Sequence, residues 1–303
     1  PGGMHIETIH AFCQSLLRRF PLEAKIAPHF TLMDDRDADE LLLQAREEVL
    51  SRAHTGEDRI LSSAIAKITL HLHETSFPGL LASLTSARGR LRRLINKYGG
   101  VAETIQQIRS LLGINTGEIP ETILSDALTS NSYDEKGLQL AVNILSKGSK
   151  TDIERAQKIK LWLTLDQKSL DAFEDYIDSF LTTSRHTGPI KIRKTLITNN
   201  LAKTNPSVEK SLADEAIRLK RILIRVRSAT IAEITEALIY FSGALLDSYQ
   251  MQKERRSLID YDDLIIGAGH LLNREDIAPW ILFKLDGGID HLLIDEAQDT
   301  SPE

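Results

Sequence analysis

Two adjacent carboxylates, Asp295 and Glu296, stand directly behind a short apolar run, Leu292-Leu293-Ile294. Such a run reads as a buried strand, and the C-terminal ends of strands in an open α/β sheet are where ligands bind. A carboxylate pair delivered there offers one group to a divalent cation and a second to an attacking water, which is the chemistry of nucleotide hydrolysis. Asp295 is the expected Mg2+ ligand and Glu296 the expected general base. Gln298 and Asp299 follow at once, placed to sense a terminal phosphate or to couple its state to neighbouring motifs. The plain alternative for an isolated Asp-Glu pair is a solvated turn or a helix cap. The coincidence of three apolar residues with Asp295-Glu-Ala-Gln-Asp-Thr300 argues against it.

The other half of such a site is missing from the sequence. No Gly-x-x-x-x-Gly-Lys-Ser/Thr occurs, and Gly148-Ser149-Lys150-Thr151 lacks both the upstream glycine and a preceding apolar strand. Backbone amides that cradle phosphates need that glycine-rich turn between strand and helix. The chain is therefore expected to be a piece of a larger enzyme, with no ATPase of its own and no nucleotide or Mg2+ bound to it alone.

Several further groups bear on nucleic acid. Thr8 and His10, in Thr8-Ile-His-Ala-Phe12, carry donors suited to phosphate oxygens, contacts that position a strand without reading its sequence. The alternative is an ordinary strand-to-helix junction with Thr8 as a cap; Phe12 is expected in the core. Arg88, Arg90, Arg92, Arg93 and Lys97 share one expected helix, and Arg218, Lys220, Arg221, Arg225 and Arg227 share another. Either set offers salt-sensitive phosphate binding by counterion release, or is a solvated face balanced by nearby acids. Neither is interleaved with aromatics for base stacking. Asp260-Tyr-Asp-Asp263 reads as an acid-rich helix N-terminus favoured by the dipole, or as a brace near the nucleotide side. His71 and His73, two apart on a helix, point to different faces and make no metal site. Cys13 reads as a buried thiol, and Trp162 and Trp280 as core.

The elements that must position these groups are mostly helical. Apolar periodicity predicts helices over 11–20, 35–54 (capped by Asp34 or Asp35), 57–75, one or two over 78–98, then 101–112 with Gly113 beyond its end, 121–130 and 134–147. Thr151-Asp-Ile-Glu154 has a capping-box pattern opening a helix to about 164, followed by 167–183. Residues 187–204 are less helical. Asn205-Pro206 starts a helix to about 227, with a second to about 257; shorter ones follow through Leu272 and over 275–285. Strands are expected at 4–9 and before Asp295, with room for a short extended piece within 187–204. This organisation reads as domain pieces at 1–20 and 258–303 flanking a helical block at 21–257, inserted between two strands of one sheet.

Bulk properties agree with a globular, helix-rich chain: 303 residues, 42% hydrophobic, 5% aromatic and 26% charged, enough for one large or two ordinary domains. A net charge of −6 argues against a dedicated, strongly basic nucleic-acid binder, though not against local basic faces. One cysteine allows no internal disulfide and fits a reducing compartment. No uninterrupted apolar run approaches the roughly 18 residues of a membrane helix, so a cytoplasmic protein without a membrane partner is expected.

Asp295-Glu-Ala-Gln-Asp299 resembles motif II of the UvrD/Rep-type superfamily 1 DNA helicases, and Thr8-x-His10-x-Phe12 resembles the motif that follows their motif Ia. An Asp-aromatic-Asp-Asp-Leu string like Asp260–Leu264 recurs in these proteins shortly before motif II. Within the superfamily the chain is similar to the AddA group, through Glu7–Cys13, Ser15–Pro21 and Leu285–Pro302, and loosely through Lys191–Leu201 and Lys203–Pro206. The resemblance implies a mainly α chain: a large 1B-like helical insertion on an incomplete RecA-like P-loop NTPase sheet. For a parent protein it implies ATP and Mg2+, 3′→5′ translocation on single-stranded or forked DNA, a C-terminal nuclease, an AddB-like partner, and nucleoid-associated work in bacterial break repair and recombination. A non-catalytic helical module for DNA or partner docking is the alternative.

Overall fold

The computed structural model describes residues 7–129, 133–165, 168–182 and 188–285. The expected strand and carboxylates at 292–299 lie outside them. In chain order the elements begin α1 (Ile9–Arg19), β1 (Thr31–Leu32), α2 (Asp35–Thr55), α3 (Arg59–His71), α4 (Phe77–Ser86) and α5 (Arg88–Tyr98). Next come α6 (Val101–Leu111), α7 (Pro120–Thr129), α8 (Glu135–Leu145), α9 (Lys150–Thr164), α10 (Leu170–Asp178), β2 (Leu181–Thr182) and β3 (Lys191–Ile192). The last are α11 (Asn199–Thr204), α12 (Pro206–Arg255), β4 (Leu258–Ile259), α13 (Tyr261–Leu272) and α14 (Ala278–Lys284). The chain is mainly helical, as its periodicity predicts.

Residues up to Lys97 and from Ala237 onward form one compact unit, and Tyr98–Glu236 form a second. In the first unit, Leu41, Leu42, Ala45 and Val49 of α2, Leu61, Ala64 and Ile68 of α3, and Ala237, Phe241, Leu245 and Tyr249 of α12 share one core. A second core joins Cys13, Leu16 and Leu17 of α1 to Leu264, Ala268 and Leu271 of α13, with Phe12 packed at its margin. Gly267 permits the close approach, since a Cβ there would stand 3.3 Å from Leu17 Cδ1. β1 and β4 pair in parallel, Thr31 opposite Leu258 and Leu32 opposite Ile259.

The second unit is built around Trp162, Phe173, Tyr176 and Phe180, all buried, with Leu138 and Leu145 of α8 and Leu212 and Leu219 of α12. Trp162 stacks on Tyr176 at 5.0 Å between ring centroids. The Tyr176 hydroxyl donates to buried Glu215 at 2.7 Å, and Arg218 pairs with the same carboxylate at 2.7 Å. β2 and β3 form an antiparallel ladder, Leu181 opposite Ile192.

Local signals hold in most places. Asp34 caps α2, accepting from the Asp37 amide at 2.8 Å, and Gly113 lies beyond α6 at φ 68°. Four expectations change. Ile9 opens a helix with Thr8 as its cap, so residues 7–9 are not strand. The box that opens α9 is Ser149 with Asp152, two residues before the expected one. The two helices expected over 206–257 are one, because no Gly or Pro falls between Ser207 and Ser242. Near the expected break the Thr230 hydroxyl donates back to Val226 O at 3.0 Å, tying it to the helix instead of ending it. Trp280 is 45% exposed, since short α14 buries only Ile281. By length and composition α12 is apolar enough to cross a membrane, yet half of its most apolar window is buried in the protein.

The two tryptophans should therefore differ sharply. Trp162→Ala is expected to cost about 3–5 kcal/mol, and Trp280→Ala about 1 kcal/mol or less. Urea denaturation of both variants measures this; equal losses would contradict the assigned burial.

Candidate functional site

The first unit gathers most of the described candidate residues about the first turn of α13. Asp260 caps this helix: its Oδ1 accepts from the Asp263 amide at 2.9 Å, and Asp263 Oδ2 accepts from the Asp260 amide at 3.1 Å, a complete capping box. Into the box comes Lys253 from the last turn of α12, 1% exposed, its ammonium 3.1 Å from Asp260 Oδ2 and also bonded to Asp263 Oδ2. The same ammonium lies 4.5 Å from the Tyr249 ring centroid, and the Tyr249 hydroxyl donates to Asp260 at 2.9 Å. From α5, Arg92 pairs with Asp263 Oδ1 at 3.0 Å and donates to Gln250, while Arg88 stands 3.7 Å from Asp262. Three cations thus meet three carboxylates.

Burial alone would raise the Asp260 carboxyl. The Lys253 charge, the Asp263 amide, the Tyr249 hydroxyl and the Lys253 hydrogen bond outweigh it and hold the group below its ordinary value. Burial drives the Tyr249 phenol the other way, far above its usual range, aided by the charge and hydrogen bond of Asp260.

Tyr261, the next residue, is 42% exposed and meets the His10 ring edge-on, centroids 5.2 Å apart and planes at 85°. Thr8 accepts from the Ala11 amide at 3.2 Å. A hydroxyl has one donor and two acceptor sites, so capping leaves its O–H available to an exposed ligand. His10, Arg88 and Arg92 are thus brought to one end of α13 from positions some eighty residues apart in the chain, with Thr8 two residues before His10. Arg90 and Arg93, on the same helix as Arg92, are exposed. In the second unit, Arg218, Arg225 and Arg227 serve as struts to Glu215, Glu118 and Gly188 O, whereas Arg221 is exposed. Asp295, Glu296, Gln298 and Asp299 lie outside the described residues. Among those described, no group of three or more His, Cys, Asp and Glu side chains could hold a metal.

Sequence reasoning missed Tyr249 and Lys253. The available signal was the spacing Phe241, Leu245, Tyr249, Lys253, in which a lysine continues an apolar i, i+4 stripe and so must find a buried counter-charge.

Residues 2–303 match the UvrD/REP helicase N-terminal domain. The chain belongs to that family. It is similar to proteins named as ATP-dependent helicase/nuclease subunits from Bacillus cereus (strain G9842), Bacillus thuringiensis (strain Al Hakam) and Bacillus anthracis, each 20% identical over 317 residues. Those alignments cover 98% of this chain, which spans about a quarter (25%) of the length of these relatives. The family resemblance carried by the two ends of the sequence is borne out, and it places Thr8–Phe12 and the cluster on α13 within a UvrD/REP helicase N-terminal domain.

Replacing Lys253 by Met leaves the buried Asp260 carboxylate without its counter-charge, while Asp263 keeps Arg92, and is expected to cost about 3–5 kcal/mol at neutral pH. A carboxyl held below its ordinary value contributes stability above the unfolded Asp pKa of about 3.9, lost as pH falls through the folded value. Wild type should therefore lose stability more steeply between about pH 5 and 2 than Lys253→Met, as read by urea midpoints across that range. Parallel acid profiles would show that the ion pair contributes nothing to this unit.

Proposed function

We propose that this chain is the stretch of an AddA-type, ATP-dependent DNA helicase that runs from the strand-contacting Thr8–Phe12 motif to the carboxylates of motif II. The observation that carries the reading is the family match over residues 2–303, with Asp295-Glu-Ala-Gln-Asp299 at its far end. In this reading residues 1–20 and 258–303 are parts of a RecA-like domain 1A, and 21–257 are a 1B-like helical insertion in its sheet. The parent moves 3′→5′ along single-stranded DNA in break repair, in the cytoplasm, with an AddB-like partner; the relatives' name, a helicase/nuclease subunit, supports the helicase activity and a multi-subunit enzyme, and the rest follows from the resemblance.

Thr8 and His10 contact the strand's phosphates from the start of α1, steadied by Tyr261. Exposed Arg90 and Arg93 extend the phosphate track, while Arg88 and Arg92, committed to Asp262 and Asp263, keep α5 in place. Bound ATP and Mg2+ would supply the energy of translocation in the parent. There Asp295 would hold the cation, Glu296 would serve as the base toward water, and Gln298 and Asp299 would couple to the phosphate state. The present chain has no glycine-rich phosphate cradle in its sequence, so it turns over no ATP by itself.

Binding of fluorescent single-stranded and forked DNA across a salt series, with ATPase assayed in parallel, tests the reading. Expected are salt-sensitive binding, a loss of about tenfold for Arg90→Glu with Arg93→Glu from the removed phosphate contacts, and no ATP turnover. Binding indifferent to both reversals would remove α5 from the DNA path, and ATP turnover would refute the incomplete site.

A further inference from the structure

Within the second unit a cavity of about 290 Å3 lies between the start of α9 and the segment joining β3 to α11, at the small end of ligand-sized pockets. It is lined by Arg155, Arg193, Lys194, Asp152 and four threonines, Thr151, Thr182, Thr195 and Thr198. Neither basic cluster of the sequence analysis includes these cations.

Their bonding separates them into two kinds. Arg155 is structural: its Nε donates to Ser179 O at 2.8 Å, and its terminal nitrogens donate to Leu196 O and to Thr195 O at 3.2 Å. Asp152, 1% exposed, is spent as well, accepting from the Ser149 amide at 3.0 Å and the Ser149 hydroxyl at 2.8 Å, with Arg155 at 3.9 Å. Arg193 and Lys194 are different. Arg193 is oriented by a 2.7 Å bond from its Nε to Asp178 O, which leaves its two terminal nitrogens with no partner among the described residues. Lys194 is exposed and has no carboxylate partner among them either. Thr198 opens α11 without bonding its hydroxyl to the helix.

The cavity therefore holds three cations against one carboxylate, whose Oδ2 is already bonded twice by Ser149. The Arg155 pKa is lowered, chiefly by burial; the Asp152 charge opposes that and the Arg193 charge adds to it, so the two guanidiniums repel one another. An anion between them would relieve that repulsion. Asp152 Oδ2 is held by Ser149 and its Oδ1 lies 3.9 Å from Arg155, and no ion pair joins it to Arg193 or Lys194 among the described residues. A guanidinium fork, an ammonium and hydroxyls converging on one small space match a tetrahedral oxyanion with several acceptor oxygens, and the first turn of the 15-residue α9 adds its positive dipole end.

We propose that this pocket binds a phosphate group, with Arg193 and Lys194 as its charged ligands and Thr195 and Thr198 as hydroxyl donors. The phosphate is either one linkage of a nucleic-acid backbone or a free phosphate ester. The pocket requires no ATP chemistry, and its occupancy by phosphate does not depend on the helicase reading.

The test measures inorganic phosphate binding by calorimetry, and binding of a short fluorescent duplex across a salt series, for the chain and for Lys194→Glu and Arg193→Gln. Loss of a charge-assisted bond is expected to weaken phosphate by about tenfold or more in each variant. Circular dichroism should be unchanged, certainly for Lys194→Glu, whose side chain supports nothing else. If duplex affinity falls too and the salt slope drops by about one ion, the phosphate is a backbone linkage. If phosphate binding falls and duplex binding holds, it is a free ester. Phosphate bound equally by all three proteins, or by none at low salt, overturns the proposal.

Discussion

A lysine ammonium taken out of water must be met by charge, and the first unit of this protein is arranged around meeting that of Lys253. Isolated burial of such an ion carries a penalty of several kcal/mol even after relaxation. Asp260 and Asp263 answer it while also capping α13, so one pair of carboxylates satisfies both a buried cation and the orphan amides of a helix start. The constraint propagates outward. For Asp260 to reach Lys253, the chain must reverse within five residues of the end of α12. It does so through Ser257, whose φ of 53° is a left-handed conformation that a non-glycine residue adopts at some cost. The turn is held by Thr31, whose amide donates to Ser257 O at 2.9 Å, and that bond begins the parallel pairing of β1 with β4.

The same first turn positions the groups that face solvent. Asp262 and Asp263 hold α5 by Arg88 and Arg92, and Tyr261 holds the His10 ring. The basic helix α5 and the start of α1 are thereby referred to one point, the first turn of α13. Preorganisation of this kind is what phosphate contacts require, since they fix register and orientation and carry no sequence information. The second unit follows a different scheme: its buried carboxylate, Glu215, is met by a phenol and a guanidinium inside an aromatic core, and its open cavity at α9 is left with positive charge to spare.

Local code was legible in the sequence and long-range partnership was not. Asp34, Gly113 and Pro206 mark their helices because caps and starts depend on a few neighbouring residues. The break expected near residue 228 failed because a β-branched or hydroxylic residue weakens a helix only slightly when buried apolar residues continue on both sides, as Ala216 and Leu219 before it and Ala229 and Ala232 after it show. β1 and β4 went unseen because two residues apiece carry no period. Arg88 and Arg92 looked like neighbours of Arg90 and Arg93, yet their acid partners stand some 170 residues away, a separation no helical pattern encodes. The family, by contrast, was legible from its two ends, where residue identity is dictated by chemistry more than by packing.

Hydrogen exchange on wild type and Lys253→Met, resolved by peptide at neutral pH, tests most directly whether one buried charge organises this unit. If it does, the first turns of α13 and α1, the paired β1 and β4, and α5 all lose protection together, while α8 to α10 keep theirs. Unchanged exchange in α5 and α1, with loss confined to the end of α12, would show that the cluster is a local ion pair and that α5 and α1 are held by something else.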